Sequence, residues 1–509
     1  MLRAGNAAEL PRSGSQAIRL GWLDALRGIA VLAVVFEHLS HTTLKTVRDH
    51  VNPWFSPGMY GIMVFFLVSG YIVPASLERR GSVRGFWASR IFRLYPLFLL
   101  AVVLKLVLSS LHLATDTVED AGLSALGHVF MLQDLLGVVP LINVMWTLSY
   151  EMAFYLIITL LFVAGVHRAS AGFATGFAGA SLLLGGILPQ IALSHGPLGT
   201  RAVAAGVTAA IAVGLTGALT GLAALRVGGA LIAGGTAIVL LSFNQRVSPW
   251  QGLAIVAVML TGTALYRADQ RQVGWAKATC AAVAVFVLAI ASGLWHIWEA
   301  HNPSMLLYQR QWAVSVLLAG ATFATVMACR RHRLPRFLCW LGTISYSVYL
   351  MHMLLIDLFV RLPWVQPGQA PVIQAGLAAS FLALLLGCCW LTYRAIEAPM
   401  QRFGRRIAAL LDARFDLPAS RARPALAAGD GAPAALAGQG VPGVKRIRQT
   451  GRERQRAERP RADPPRVAGI VAGCEAAADD SCLIVVDVED APAGSRPLDR
   501  SKALTRRDP

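Results

Sequence analysis

WLDALRGIAVLAVVFEHLSH, residues Trp22 to His41, is an apolar run that carries Arg27 and His38 eleven positions apart. Eleven steps of a helix return to within about 20° of the starting direction, so the two side chains share one face about 16 Å apart. That span is roughly half the hydrocarbon thickness of a bilayer. An ionisable side chain at the bilayer centre costs at least about 2.5 kcal/mol, so such groups normally face a protein interior or a wet cavity and mark a functional site. The competing reading puts Arg27 at one membrane interface, by snorkelling, and His38 at the other.

The rest of the chain supplies the membrane. Of 509 residues 55% are hydrophobic and only 15% charged, and the mean hydropathy is +0.56. Composition of this kind excludes a soluble globular protein and predicts an all-α, polytopic bundle of transmembrane helices. Apolar windows of spanning length fall at 22–41, 58–77, 94–112, 144–166, 170–193, 202–225, 227–243, 250–267, 275–296, 312–330, 340–360 and 372–396. The windows at 227–243 and 250–267 are short, and without them ten would remain. The first apolar span is not preceded by a small-residue cleavage site, so it is expected to remain as an uncleaved helix.

Basic loops stay on the cytoplasmic side. Arg79, Arg80, Arg84, Arg90 and Arg93 follow the second window, Arg168 the fourth, Arg226 the sixth, Arg267 and Arg271 the eighth, and Arg330, Arg331, Arg333 and Arg336 the tenth. All follow even-numbered windows, which predicts that both termini are cytoplasmic. The net charge of +18 therefore answers to anionic lipid and calls for no nucleic acid. Residues 1–17 make a short N-terminal segment and 18–405 the membrane domain. Residues 406–509 turn to Ala, Gly, Pro and Arg, the composition of a disordered basic cytoplasmic tail. In that tail only Cys482 to Val488 looks strand-like. The seven cysteines have no metal-ligand spacing, so no metal is expected, and Cys388 and Cys389 fit packing positions in an apolar helix.

Arg27 and His38 form an R-x10-H pattern, and four further segments accompany it. They are FFLVSGYIV at Phe65 to Val73, Arg90-Ile-Phe-Arg93-Leu-Tyr-Pro96, Trp146-Thr-Leu-Ser-Tyr-Glu151-Met-Ala-Phe-Tyr155, and Leu341-Gly-Thr-Ile-Ser345-Tyr-Ser-Val-Tyr349-Leu-Met-His352. Ile396-Glu397-Ala-Pro399 closes the set. In this order, over residues 18 to 405, they resemble the acyltransferase 3 family of integral-membrane O-acyltransferases. Thr147 stands where the family commonly has Ser, and Met152 and Met351 occupy variable positions. The resemblance implies acyl transfer, with acetyl-CoA or another acyl-CoA as co-substrate and no permanently bound cofactor. It also implies a hydroxyl on a cell-surface or secreted carbohydrate as acceptor, and a bacterial inner membrane as the setting.

Acyl transfer from a thioester to a hydroxyl needs a base near neutral pH, a role that suits His38. Glu151 lies near the outer end of its span, and a carboxylate on one ring nitrogen would set the tautomer of His38. Its alternative is a packing hydrogen bond to Ser149 or to a neighbouring helix. Arg90 and Arg93, one turn apart at the cytoplasmic entrance to the third span, can grip the phosphates of acyl-CoA with planar guanidinium forks, or simply anchor the topology. Arg27 can neutralise the same phosphates or hold a carboxylate. Ser345, Tyr349 and His352, at i, i+4 and i+7, share a helix face and together with Trp146 are candidates for a polar wall along the substrate path. His352 is a candidate second proton carrier. Interhelical hydrogen bonding is the other reading of these residues. Arg394 and Glu397, three apart, are expected to pair.

A different class also fits about twelve spans and a central ionisable cluster: a transporter or flippase of a glycan or small acid. Neither a half-to-half repeat nor a pair of broken helices is evident. Some family members carry an extracytoplasmic hydrolase-like domain. The last hundred residues here lack a G-D-S nucleophile pattern, which leaves direct transfer or a separate extracytoplasmic transferase as partner.

Overall fold

The computed structural model describes residues 14–114, 120–299, 304–366 and 369–415, and no strand occurs among them. The long helices are α1 (Gly14–Ser40), then, after a short α2 (Lys45–Val51), α3 (Pro57–Arg80) and α4 (Val83–Ser110). A second short helix, α5 (Ala121–Val129), leads to α6 (Trp146–Val163), α7 (Ser170–Leu184), α8 (Gly196–Ala218) and α9 (Ala223–Phe243). They are followed by α10 (Pro249–Asp269), α11 (Trp275–Glu299), α12 (Met305–Ala328), α13 (Arg336–Phe359), α14 (Pro371–Thr392) and α15 (Ala398–Phe415).

Each of the twelve apolar windows coincides with a helix, including the two short ones, which are α9 and α10. Among the described residues, ten helices are long and apolar enough to cross a membrane. The two windows outside that set are α7, with 15 residues, and α1, which carries Asp24, Arg27 and Glu37 within its apolar run. The fold is an all-α polytopic bundle.

The ends of the helices follow local chemistry. Ser56 accepts from the Met59 amide at 3.2 Å to start α3, with Pro57 in the first turn. Gly81, at φ +66°, ends α3, and Ser82 immediately caps α4 by accepting from the Gly85 amide at 3.2 Å. That turn starts α4 at Val83, well before the apolar window at 94. Arg90 and Arg93 consequently lie about two turns inside the helix rather than at its entrance.

Between α14 and α15, residues Tyr393–Glu397 form a π-helical turn. The extra residue in that turn changes the side-chain spacing, so the expected Arg394–Glu397 pair does not form. Arg394 lies over the Trp390 ring at 5.0 Å. Glu397 instead accepts from Ser347 of α13 at 2.8 Å and from Gln401 at 3.0 Å. Residues 406–415, grouped by composition with the tail, are the closing turns of α15. The remainder of the tail, with the strand-like Cys482 to Val488, lies outside the described residues.

Candidate functional site

The site begins with a close helix pair. Gly28 of α1 and Gly342 of α13 lie where a β-carbon would strike backbone, that of Leu338 for Gly28 and of Asp24 for Gly342. Hydrogen side chains let the two backbones touch, as small residues do between membrane helices. The contact also sets a register, because both helices run the same way. Ten residues beyond Gly28 stands His38, and ten beyond Gly342 stands His352. Their rings meet, centroids 5.3 Å apart and tilted by 44°.

Below this pair, α1, α3, α4, α6 and α13 surround a cavity of about 70 Å³. Arg27, Arg90, Arg93, Glu151, Ser345 and Tyr349 all line it, with Ser69 and Tyr346. These helices carry the five sequence motifs, one each. The charged groups cluster tightly: Arg27 is within electrostatic reach of Arg93, Asp24, Glu397 and Glu151. Arg90 is buried between the rings of Phe86 and Tyr155, 5.4 Å from each centroid, and its Nε is enclosed without a hydrogen-bond partner. Guanidinium between aromatic faces is a stable desolvated arrangement, and it leaves polar N–H capacity for an anion in the cavity.

Tyr349 contributes one part of the cavity wall. Its hydroxyl lies 2.7 Å from that of Thr147 and 3.0 Å from the Val144 carbonyl, and Thr147 also reaches this carbonyl at 3.1 Å. The Tyr349 ring packs edge-on to Phe65 at 5.7 Å and stands 6.0 Å from the His352 ring. His38 and His352 are not among the cavity-lining residues, and His352 adjoins the cavity through the Tyr349 ring.

The structure thus brings the three arginines and Glu151 together and sets His38 apart from them. No hydrogen bond joins Glu151 to His38. Glu151 instead accepts from the Tyr155 hydroxyl one turn along α6, which ties it to the ring under Arg90. Ser149, the other partner considered for Glu151, accepts from the Asp134 amide at 3.2 Å. Trp146 is buried against Tyr150, 5.7 Å between centroids, and is not among the cavity-lining residues. Ser345 donates to the Gly342 carbonyl at 2.9 Å within its own helix.

Three participants escaped the sequence analysis. Glu37, next to His38, accepts from the Gly58 amide at 2.9 Å and from Ser56 at 3.2 Å, and lies 3.7 Å from His41. It anchors α1 to the N-terminus of α3, where a helix favours negative charge. Tyr155 and Tyr346 stand within quoted motifs but were given no role in the site. Only the (i, i+4) spacing of Glu151 and Tyr155 hinted at their bond.

The acyltransferase domain family matches residues 20–394 of the chain. The O-acetyltransferase OatA of Staphylococcus aureus is 28% identical over 163 residues, 29% of this chain and 25% of that protein. A Bacillus subtilis protein proposed as a peptidoglycan O-acetyltransferase is 29% identical over 163 residues, 28% of this chain and 24% of its own length. A protein of Acidianus two-tailed virus proposed as an acetyltransferase is 32% identical over 145 residues, 28% of this chain and 40% of its own. The matched segments thus span about a quarter to two fifths of these relatives. No solved structure matches the chain. The family match covers all five motifs and the cavity they enclose: the chain belongs to the acyltransferase domain family.

Proposed function

We propose that this protein is a membrane-bound O-acyltransferase that moves an acetyl group from cytoplasmic acyl-CoA to a hydroxyl of a cell-surface or secreted carbohydrate, in a bacterial inner membrane with both termini in the cytoplasm. The observation that supports it best is the cavity itself: Arg27, Arg90 and Arg93 line one space with Tyr349, whose ring neighbours His352, the ring that packs against His38. Guanidinium groups converging in a desolvated cleft suit the phosphates of a nucleotide-bearing thioester. Glu151, through Tyr155, holds the arginine end in shape. At the other end His38 takes the proton of the acceptor hydroxyl as its oxygen attacks the thioester carbonyl. The carbon–sulfur bond then breaks, and His38 returns the proton to the departing thiolate, so no net proton is consumed. The names of the relatives point to acetyl as the group and cell-wall glycan as one acceptor class.

The test supplies acetyl-CoA and candidate glycans to the purified protein and detects the acetylated product by mass spectrometry. His38→Ala is expected to reduce transfer by at least about 10²-fold, the scale of a positioned acid–base group, at unchanged expression and membrane insertion. Full transfer by a stably folded His38→Ala protein would exclude His38 as the base.

A further inference from the structure

His352 is completely enclosed, at 0% exposure, and its two ring nitrogens differ. Nδ1 lies 3.1 Å from the Val348 carbonyl oxygen one turn back along α13. A carbonyl only accepts, so Nδ1 carries the hydrogen and Nε2 presents a bare lone pair. That lone pair is buried with no donor, a state that folded proteins seldom leave unused. The side chain facing it from α1 is His38, whose ring is 5.3 Å away between centroids. The glycine contact of α1 with α13 holds both rings at this register. A small torsional adjustment brings a nitrogen of the half-buried His38 onto Nε2.

We propose that His352 is the positioning residue for His38: its Nε2 accepts the N–H of one His38 ring nitrogen and so leaves the other nitrogen bare toward the acceptor hydroxyl. The role sought for Glu151 from sequence passes to a neutral imidazole. This inference rests on the reading of His38 as base. An acceptor on the far ring nitrogen fixes the tautomer and stabilises the imidazolium formed during attack, as a carboxylate does in other base–orienter pairs. A neutral acceptor performs this without a second buried charge. The other titratable groups around the pair are Glu37 and His41 on α1 and Tyr349 on α13. Glu37 and Tyr349 are committed to the hydrogen bonds described above, and Glu37 is also the partner of His41.

His352→Gln keeps an acceptor oxygen near the place of Nε2, whereas His352→Leu and His352→Phe fill the space without one. Measured on protein with parental elution and thermal midpoint, the apolar variants are expected to lose about 10-fold in kcat, the scale of one hydrogen bond, with KM for acetyl-CoA unchanged. The acid limb of their pH–rate profile moves to lower pH, because an acceptor lost from His38 disfavours its protonated form. The glutamine variant recovers both properties. Apolar variants with parental kcat, or a glutamine variant as slow as they are, overturn the positioning role. An inactive His38→Ala beside a fully active His352→Leu removes this proposal alone, whereas an active His38→Ala removes the base assignment and the positioning role together.

Discussion

The spans of α10 and α13 both run through the middle of the bundle, 94% and 72% buried, and both reach a neighbour through glycine. Gly262 of α10 lies against the α3 backbone at Leu67 as Gly342 of α13 lies against α1. Their polar residues behave differently. Arg267 of α10 uses all three nitrogens, on Ser170 at 3.0 Å, Gln272 at 2.8 Å and Glu78 at 2.7 Å, and Thr263 donates to the Gly70 carbonyl at 2.9 Å. Along α13, Ser345 and Tyr349 face open space, and His352 keeps an unmatched nitrogen. Burial is the greater in α10, and each helix keeps one buried polar atom unmatched, on Gln251 in α10 and on His352 in α13, so neither depth nor a single orphan atom marks the working helix. What separates α13 is that its polar residues line a cavity.

Arg267→Ala gives the largest expected effect. It strands Glu78, whose side chain is 14% exposed, and removing one partner of a buried pair typically costs about 3–5 kcal/mol. The thermal midpoint in detergent should fall steeply while the folded remainder keeps its turnover. An unchanged midpoint would mean that the Arg267 contacts do not stabilise the bundle.

Gly342→Ala attacks the α13 side of the comparison. The added methyl group forces α1 and α13 apart at the contact that registers His38 on His352. Displacement of reacting groups by about 1 Å can cost about 10²-fold in rate, and acyl transfer should drop on that scale with a smaller loss of stability. Equal damage from Gly342→Ala and Gly262→Ala to activity would erase the distinction between the helices.

Asp134, in the turn before α6, is a third kind of buried polar group. Its carboxylate accepts from Tyr150 at 3.3 Å, and burial, opposed by Arg246 and those hydrogen bonds, pushes its pKa up to about 6. A raised folded-state pKa means that the folded protein keeps a proton that the unfolded chain loses near pH 4. The associated stability is full below about pH 4 and lost as pH rises through about 6, on the order of 3 kcal/mol. Thermal melts between pH 4.5 and 7 should show this slope, and Asp134→Asn should flatten it. A slope that persists in the variant assigns it elsewhere.

The smallest effect belongs to the chain end. Truncation after Phe415 leaves every helix named here, and activity is expected to stay within about 2-fold. Truncation after Leu410 also removes Asp412, which lies 3.6 Å from Arg80, a partly exposed pair worth less than about 1 kcal/mol. Loss of transfer in the first truncation at normal protein levels would reveal a contribution from the tail.

All twelve apolar windows fall on helices, ten of them long and apolar enough to cross a membrane among the described residues, because apolar runs of bilayer length are a strong, additive signal. The arginines were legible as a group because charge inside such runs is rare. What the sequence concealed is contact between chain-distant helices. Arg267 counted as one more cytoplasmic loop charge, although it is 1% exposed within α10. Glu151 and His38 were expected to meet, yet Glu151 lines the cavity and bonds Tyr155 while His38 packs against His352, a fact of side-chain packing that motif spacing does not encode. Glu397 looked like half of an (i, i+3) pair until the π-helical turn redirected it.

The hydroxyl cluster of Thr147, Tyr349 and the Val144 carbonyl has a consequence for the cell as well as for chemistry. A bilayer that stores an ion gradient tolerates no continuous wet path, and a cleft walled by three arginines would be an invitation to anions. Tyr349 is one wall of that cleft, and its hydroxyl is tied to Thr147 and to the Val144 carbonyl. A bulky ring anchored at its polar tip fills space that water would otherwise occupy, so the same contact that orders α13 against α6 also narrows the wet volume beside the arginines.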